Sequence, residues 1–366
     1  MTDMKYRKLP HGEEMISIIG IGASSIQASD DKEIEETLRY AVERGVNFFD
    51  MAAAEAAPFE SYGRAFEGIR DRVYLQVHFG ANYESGSYGW TTDLDTVKRS
   101  VEWQLNALRT DKIDFGFIHC IDERDDLNKA EKSGIIRYIG ELKNWGVIRH
   151  IGLSTHTPSL AERVLDMNMI DMLMFSINPG YDYHHGDYAY GEVDERMALY
   201  RRCEAEGVGI SVMKPFGGGQ LLDAKTSPFG EALSEYQCIQ YALDKPGVLT
   251  VLPGIRGRDD LDRLLGFFNA TPEQRDYSII GSFAPSAAEG KCVYCNHCKP
   301  CPAGLDIGLI NKYYDLARAR DSLARDHYAN LVVKADSCAK CGHCNSRCPF
   351  KVDQQSRMDE INAYFS

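Results

Sequence analysis

Eleven cysteines stand among 366 residues, and eight of them fall between positions 292 and 348. They form two runs, Cys292-x2-Cys295-x2-Cys298-x2-Cys301-Pro302 and Cys338-x2-Cys341-x2-Cys344-x3-Cys348-Pro349. Thiolate sulfur is a soft donor, and several thiolates on one short loop suit a metal or an iron–sulfur centre. Three of them grip one face of a cubane, so the fourth ligand must come from elsewhere. Where two such runs share a domain, the Cys before Pro serves the other centre. The spacing therefore assigns Cys292, Cys295, Cys298 and Cys348 to one [4Fe-4S] cluster, and Cys338, Cys341, Cys344 and Cys301 to a second. Structural zinc is the alternative, although its sites usually pair two separated CxxC knuckles rather than quadruple runs. The remaining Cys120, Cys203 and Cys238 read as small buried apolar residues.

The residues before position 280 must be built differently. Gly-Val pairs recur at Gly45-Val46, Gly146-Val147, Gly207-Val208 and Gly247-Val248, each ending a helical pattern and opening an apolar run. Strands are expected at 17–22, 47–50, 73–79, 115–121, 150–155, 172–178, 209–214 and 249–253. Between them, Leu94, Val97, Val101, Leu105 and Leu108 recur at helical spacing after a Thr92/Asp95 capping box. Eight strands alternating with helices over about 250 residues is the arithmetic of an α/β fold closed as a (β/α)8 TIM barrel. An open doubly wound sheet is the alternative. A hairpin around His11-Gly12-Glu13 precedes the barrel. The expected domains are a barrel at 1–280 and a cluster-binding domain at 281–366, too small to build a large core without its inorganic centres.

Composition excludes several classes. Lys and Arg number 41 against 54 Asp and Glu, a net charge of −13, which argues against a grip on nucleic acid or an anionic membrane. The first eight residues are polar and lead into no apolar signal segment, and no stretch approaches the roughly 20 apolar residues of a membrane span. A cytoplasmic protein is expected, and a disulfide framework is correspondingly a poor reading of the cysteines.

In a barrel of this kind the chemistry sits where strands end. The polar residues there are Asp50, His78, His119, His156, Asn178 and Lys214. Around them the chain resembles the aldo-keto reductases, in the branch with a C-terminal two-cluster ferredoxin-like domain. The resemblance rests on Asn47-Phe48-Phe49-Asp50-Met51-Ala52, Ile113-Asp114 through His119, Ile151-Gly152-Leu153-Ser154-Thr155-His156, Met213-Lys214-Pro215 with Gly217 to Gly219, and the cysteine runs. It implies hydride transfer between a nicotinamide, usually NADPH, and a carbonyl or alcohol. It also implies a tetrad of Asp, Tyr, Lys and His. Asp50 and His119 match the first and last, but Glu55 stands at the Tyr position and His78 at the Lys position.

Two readings follow. In one, His78 and His119 take over proton donation, with Asp50 or Glu55 holding an imidazole charged. In the other, Asp50, Glu55, His78 and His119 bind something else, a divalent metal included. For the cofactor, the resemblance places Ser154, Lys214, Gly217 and Gly218 at the nicotinamide side. Arg256 and Arg258, at the start of a helix, suit an adenosine phosphate. Tyr181, Tyr183, Tyr188 and Tyr190, with His184 and His185, are read as a rim loop contacting substrate. The leading expectation is an iron–sulfur oxidoreductase reducing a small organic carbonyl with NADP(H). The alternatives are a nicotinamide-independent redox enzyme or lyase fed by the clusters, and a non-catalytic electron-transfer module. An external ferredoxin or other electron carrier is a possible partner.

Overall fold

The computed structural model describes residues 4–183, 186–283, 289–319, 321 and 323–366. Eight parallel strands follow the chain in order: β1 (Ile21–Gly22), β2 (Phe48–Asp50), β3 (Tyr74–Phe79), β4 (Ile113–Ile118), β5 (Ile148–Ser154), β6 (Met172–Ser176), β7 (Gly209–Met213) and β8 (Val248–Val251). Each pairs with its predecessor. The ends also meet: Gly20 N donates to Val251 O at 2.9 Å and Val251 N to Ile18 O at 3.0 Å. That parallel bridge closes the sheet, so the barrel holds and the open-sheet alternative does not. Ahead of it, Tyr6–Lys8 pairs antiparallel with Met15–Ser17 as the expected hairpin.

The strands are short and buried because helices cover their outer faces and side chains fill the interior. Phe48, Phe115, Phe117, Met172, Met174, Met213 and Leu249 form that filling with Leu9 and Ile16 from the hairpin. Gly116 and Gly152 are required by this packing, since a Cβ would lie 2.4 Å from the Phe79 ring and 2.5 Å from the Phe117 ring. The helix Leu94–Ala107 starts one residue later than its sequence signature suggests. Asp93 is the cap, its carboxylate accepting from Thr96 N at 2.8 Å, because a carboxylate at that place is as good an acceptor as the Thr92 hydroxyl.

By compactness the chain forms two units, 1–177 with 208–215 and 249–270, and 178–207 with 216–248 and 271–366. The second contains the helices Val193–Ala205 and Glu235–Leu243 as well as the cysteine-rich segment. Within that segment Ile307–Arg318 and Gln354–Phe365 pack a small core of Leu305, Ile307, Ile310, Tyr314, Met358 and Ile361, with Cys298 and Cys344.

Candidate functional site

In the first unit, alternation along β3 points Gln76 and His78 to the same interior face, and parallel register sets Gln76 beside Asp50. Asp50 Oδ1 accepts from Gln76 Nε2 at 2.7 Å and lies 2.7 Å from His78 Nε2. Gln76 is held from below by Ser211 Oγ, which donates to its Oε1 at 2.9 Å. His78 Nδ1 lies 2.9 Å from Nδ1 of His119, just past β4, and His119 Nε2 lies 3.0 Å from the phenol oxygen of Tyr88. A continuous path thus runs Asp50–His78–His119–Tyr88. His78 is fully buried and Asp50 nearly so, whereas Tyr88 is 41% exposed. The path begins in the interior and surfaces at a phenol.

Burial, and then the neighbouring His78, hold the His119 imidazole well below its ordinary pKa, so it stays neutral near pH 7. Partial burial raises the Tyr88 phenol above its usual value. With Asp50 ionised, its acceptor oxygen fixes the His78 proton on Nε2, leaving Nδ1 to accept from His119 Nδ1–H and His119 Nε2 to accept from Tyr88 O–H.

Tyr88 is the residue that motif reading does not locate. The loop carrying it is stitched to the segment after β2: Tyr88 N donates to Ala54 O at 2.8 Å and Ala56 N to Gly86 O at 2.8 Å. Tyr83 OH donates to Ala53 O at 3.1 Å, and Trp90 Nε1 to His119 O at 3.2 Å. Glu55 belongs to the same stitch. It is exposed, pairs with Ser87 and accepts from Ser87 Oγ at 2.8 Å. It holds neither imidazole, and Asp50, Glu55, His78 and His119 do not converge as a four-ligand metal set. The residue next to its partner brings a phenol to the mouth instead.

A second polar group lies on the rim. His156 Nδ1 is 2.9 Å from Asp122 Oδ2 and its Nε2 is 3.0 Å from Lys214 Nζ. Burial works against the Asp122 charge, but the hydrogen bonds from His156 hold its pKa down to about 2. Cys120 also donates to Asp122, at 3.4 Å. Cys203 and Cys238 are buried as expected, but Cys120 is not a core residue: it takes φ +49° at the turn after β4 and is partly exposed. Burial and the adjacent Asp122 push its thiol up to about 12, so it remains protonated near neutrality.

The expected dinucleotide positions are mixed. Ser154 is buried at the end of β5. Gly217, Gly218 and Gly219 take φ of +59°, +68° and +94°, which favours glycine. At the start of the helix Arg258–Leu265, where a phosphate site is expected, Arg256 is exposed and carboxylates crowd the first turn. Arg258 is paired with Glu36 at 3.3 Å and lies over the Tyr40 ring. Asp259 and Asp260 occupy the first turn, and Asp260 already accepts from Arg256 N at 2.9 Å. Glu33 crowds Gly257 so closely that a Cβ there would lie 2.5 Å from its carboxylate. Carboxylates at a helix start oppose the field that a phosphate would need. Tyr181 and Tyr183 are buried rather than lining an open rim, Tyr188 and Tyr190 are exposed, and His184 and His185 lie outside the described residues.

In the second unit the cysteines gather around two cavities. One is lined by Cys292, Cys295, Cys298 and Cys348; the other by Cys301, Cys338, Cys341 and Cys344. Each run supplies three sulfurs to one cavity and the fourth to the other. Four converging thiols around a cavity are the donor set a cubane requires, so these residues fit the group.

The chain is 30% identical over 176 residues to the uncharacterized oxidoreductase YqkF of Bacillus subtilis, covering 47% of this chain and 56% of that protein. It is 22% identical over 227 residues to the D-galacturonate reductase of Fragaria ananassa, covering 57% and 65%. The match thus spans only about half to two thirds of these curated relatives. Among solved structures, the holo form of aldo-keto reductase AKR11C1 from Bacillus halodurans superposes with a TM-score of 0.62 at 23% identity, covering 77% of this chain and 97% of that one. Among the described residues no helix is long and apolar enough to cross a membrane. The aldo/keto reductase family pattern matches residues 18–237 and the 4Fe-4S dicluster pattern residues 291–353; the chain belongs to the aldo/keto reductase family and carries a 4Fe-4S dicluster domain later in its sequence.

Proposed function

We propose that this protein is an iron–sulfur oxidoreductase that interconverts a small organic carbonyl compound and its alcohol, with Tyr88 handling the proton at the substrate oxygen. The observation that carries this reading is the unbroken Asp50–His78–His119–Tyr88 path. The path has two polarities, separated by one proton. With Asp50 ionised and His78 neutral, every hydrogen points inward and Tyr88 donates to His119. In that state the phenol oxygen accepts the proton of a substrate hydroxyl, as alcohol oxidation needs. Adding one proton makes His78 an imidazolium paired with Asp50; His119 then accepts at Nδ1 and donates from Nε2, and the Tyr88 O–H is released toward the substrate. That state suits reduction. His119 is neutral in both, in keeping with its lowered pKa.

Carbonyl reduction takes up two electrons and two protons; Tyr88 supplies the proton at oxygen and solvent water the proton at carbon. Bound in the two cysteine cavities, [4Fe-4S] clusters supply electrons singly, which favours a conjugated or otherwise activated carbonyl whose one-electron state is delocalised. Cys292, Cys295, Cys298 and Cys348 would hold one cluster, and Cys301, Cys338, Cys341 and Cys344 the other. The anaerobically purified chain should be brown and contain about eight iron and eight sulfide. A colourless, zinc-loaded protein would remove the cluster half of the proposal.

Hydride transfer from NADP(H), the leading expectation from the family resemblance, is separated from the cluster-fed reading by a fluorescence titration. On the cluster-fed reading, supported by the carboxylates at the start of the helix Arg258–Leu265, NADPH should show no saturable binding up to millimolar concentration, and cluster-free protein should lose turnover. Saturable micromolar binding, with turnover retained in cluster-free protein, would restore the nicotinamide reading. Sugar aldehydes and uronic acids belong in the first substrate panel, because the matched relatives include the D-galacturonate reductase.

A further inference from the structure

Lys245 is completely buried in the second unit, and the proton path makes no use of it. It follows the helix Glu235–Leu243. Its Nζ donates to the carbonyl of Val293 at 3.2 Å and lies 3.7 Å from the centroid of the Tyr241 ring. Val293 stands between Cys292 and Cys295 and lines the same cavity. An ammonium ion has three donors, and leaving one out of water is costly unless something answers its charge. A carbonyl and an aromatic face answer two. Of the neighbouring carboxylates, Asp182 is shared with Arg196 and accepts from Arg196 Nε, Tyr200 OH and Tyr241 OH at 2.8, 2.6 and 2.7 Å. Asp244 accepts from the neutral Tyr277 OH and Gln240 Nε2, both at 2.7 Å, and it also acts on Lys245 through its charge.

The two cavities differ in surroundings. Cys295 and Cys298 are buried, whereas Cys341 is exposed. Among the described residues Lys245 and Arg196 are the buried cations, and Arg196 is paired with Asp182. Burial disfavours the extra negative charge of a reduced cluster, and a fixed positive charge favours it. Burial alone would therefore place the inner cluster at the lower potential.

Resting on the iron–sulfur part of the reading above, we infer that Lys245 raises the reduction potential of the cluster held by Cys292, Cys295, Cys298 and Cys348 above that of the cluster held by Cys301, Cys338, Cys341 and Cys344. One electron from an external one-electron carrier enters at the exposed Cys341 side and passes inward. The outer cluster is reoxidised as the inner one is reduced, and no bond changes. Beyond the inner cavity, Phe350 in its lining stacks on Tyr183, with ring centroids 6.0 Å apart, in the loop that follows β6.

The test is a potentiometric titration of the full, cluster-loaded chain followed by EPR. The wild type should show two midpoints, with the higher belonging to the signal that survives Cys341→Ser. Lys245→Met should lower that midpoint and leave the other in place, and Lys245→Arg should keep it near its original value. Coincident or reversed midpoints in the wild type overturn the inference, as does an unmoved midpoint in a fully loaded Lys245→Met protein. The wild-type ordering decides the matter alone if Lys245→Met does not assemble. An iron-free chain would instead count against the cluster assignment itself.

Discussion

Tyr88→Phe should lower turnover by about 10²–10⁴-fold, the usual worth of a positioned proton donor, while leaving iron and sulfide content unchanged. The substitution removes only the hydroxyl that lies 3.0 Å from His119 Nε2 and leaves the ring contacts in place. Glu55→Gln should change turnover little, because Glu55 serves the loop through Ser87 and makes no bond to either imidazole.

The second large effect is on stability. Arg196 and Asp182 are both fully buried and joined at 2.8 Å, and Asp182 also accepts from two buried phenols, Tyr200 and Tyr241. Arg196→Leu leaves that carboxylate buried without its cation and should cost about 3–5 kcal/mol, read from the shift of the urea midpoint. Adding Asp182→Leu should recover part of the loss, because removing a whole buried pair costs less than orphaning one member. The pair matters for function as well. Asp182 precedes Tyr183, which stacks against Phe350 of the cysteine-lined cavity, so loosening it should also reduce cluster retention on gel filtration.

The barrel is legible in the sequence because its physics is local. Short apolar runs punctuated by Gly-Val pairs give all eight strands, and parallel register then sets Asp50 beside Gln76 without further information. The two cysteine groups are legible because ligand geometry dictates spacing, and the cavities gather the same sets. Tyr88 is not legible. Its place depends on hydrogen bonds between the 53–56 and 83–90 segments, which follow no apolar period and leave no motif. Glu55, at the position where a phenol is expected, is the one sequence signal, and its meaning emerges only once Ser87 is seen opposite it. Arg258 misleads for a related reason. Its partner Glu36 lies 222 residues away in sequence, and a guanidinium reads as a phosphate ligand until that pairing is known. Cys120 looks like a core residue by type, yet a left-handed turn after β4 carries it to the rim.

Whether Tyr88 and His119 act as one device is most directly measured by a double-mutant cycle on kcat, using Tyr88→Phe, His119→Asn and the pair combined, at equal cluster content. Members of one proton path lose their effect together, so the double variant should be no slower than the slower single variant. Losses that multiply would show two independent contributions and contradict a shared path.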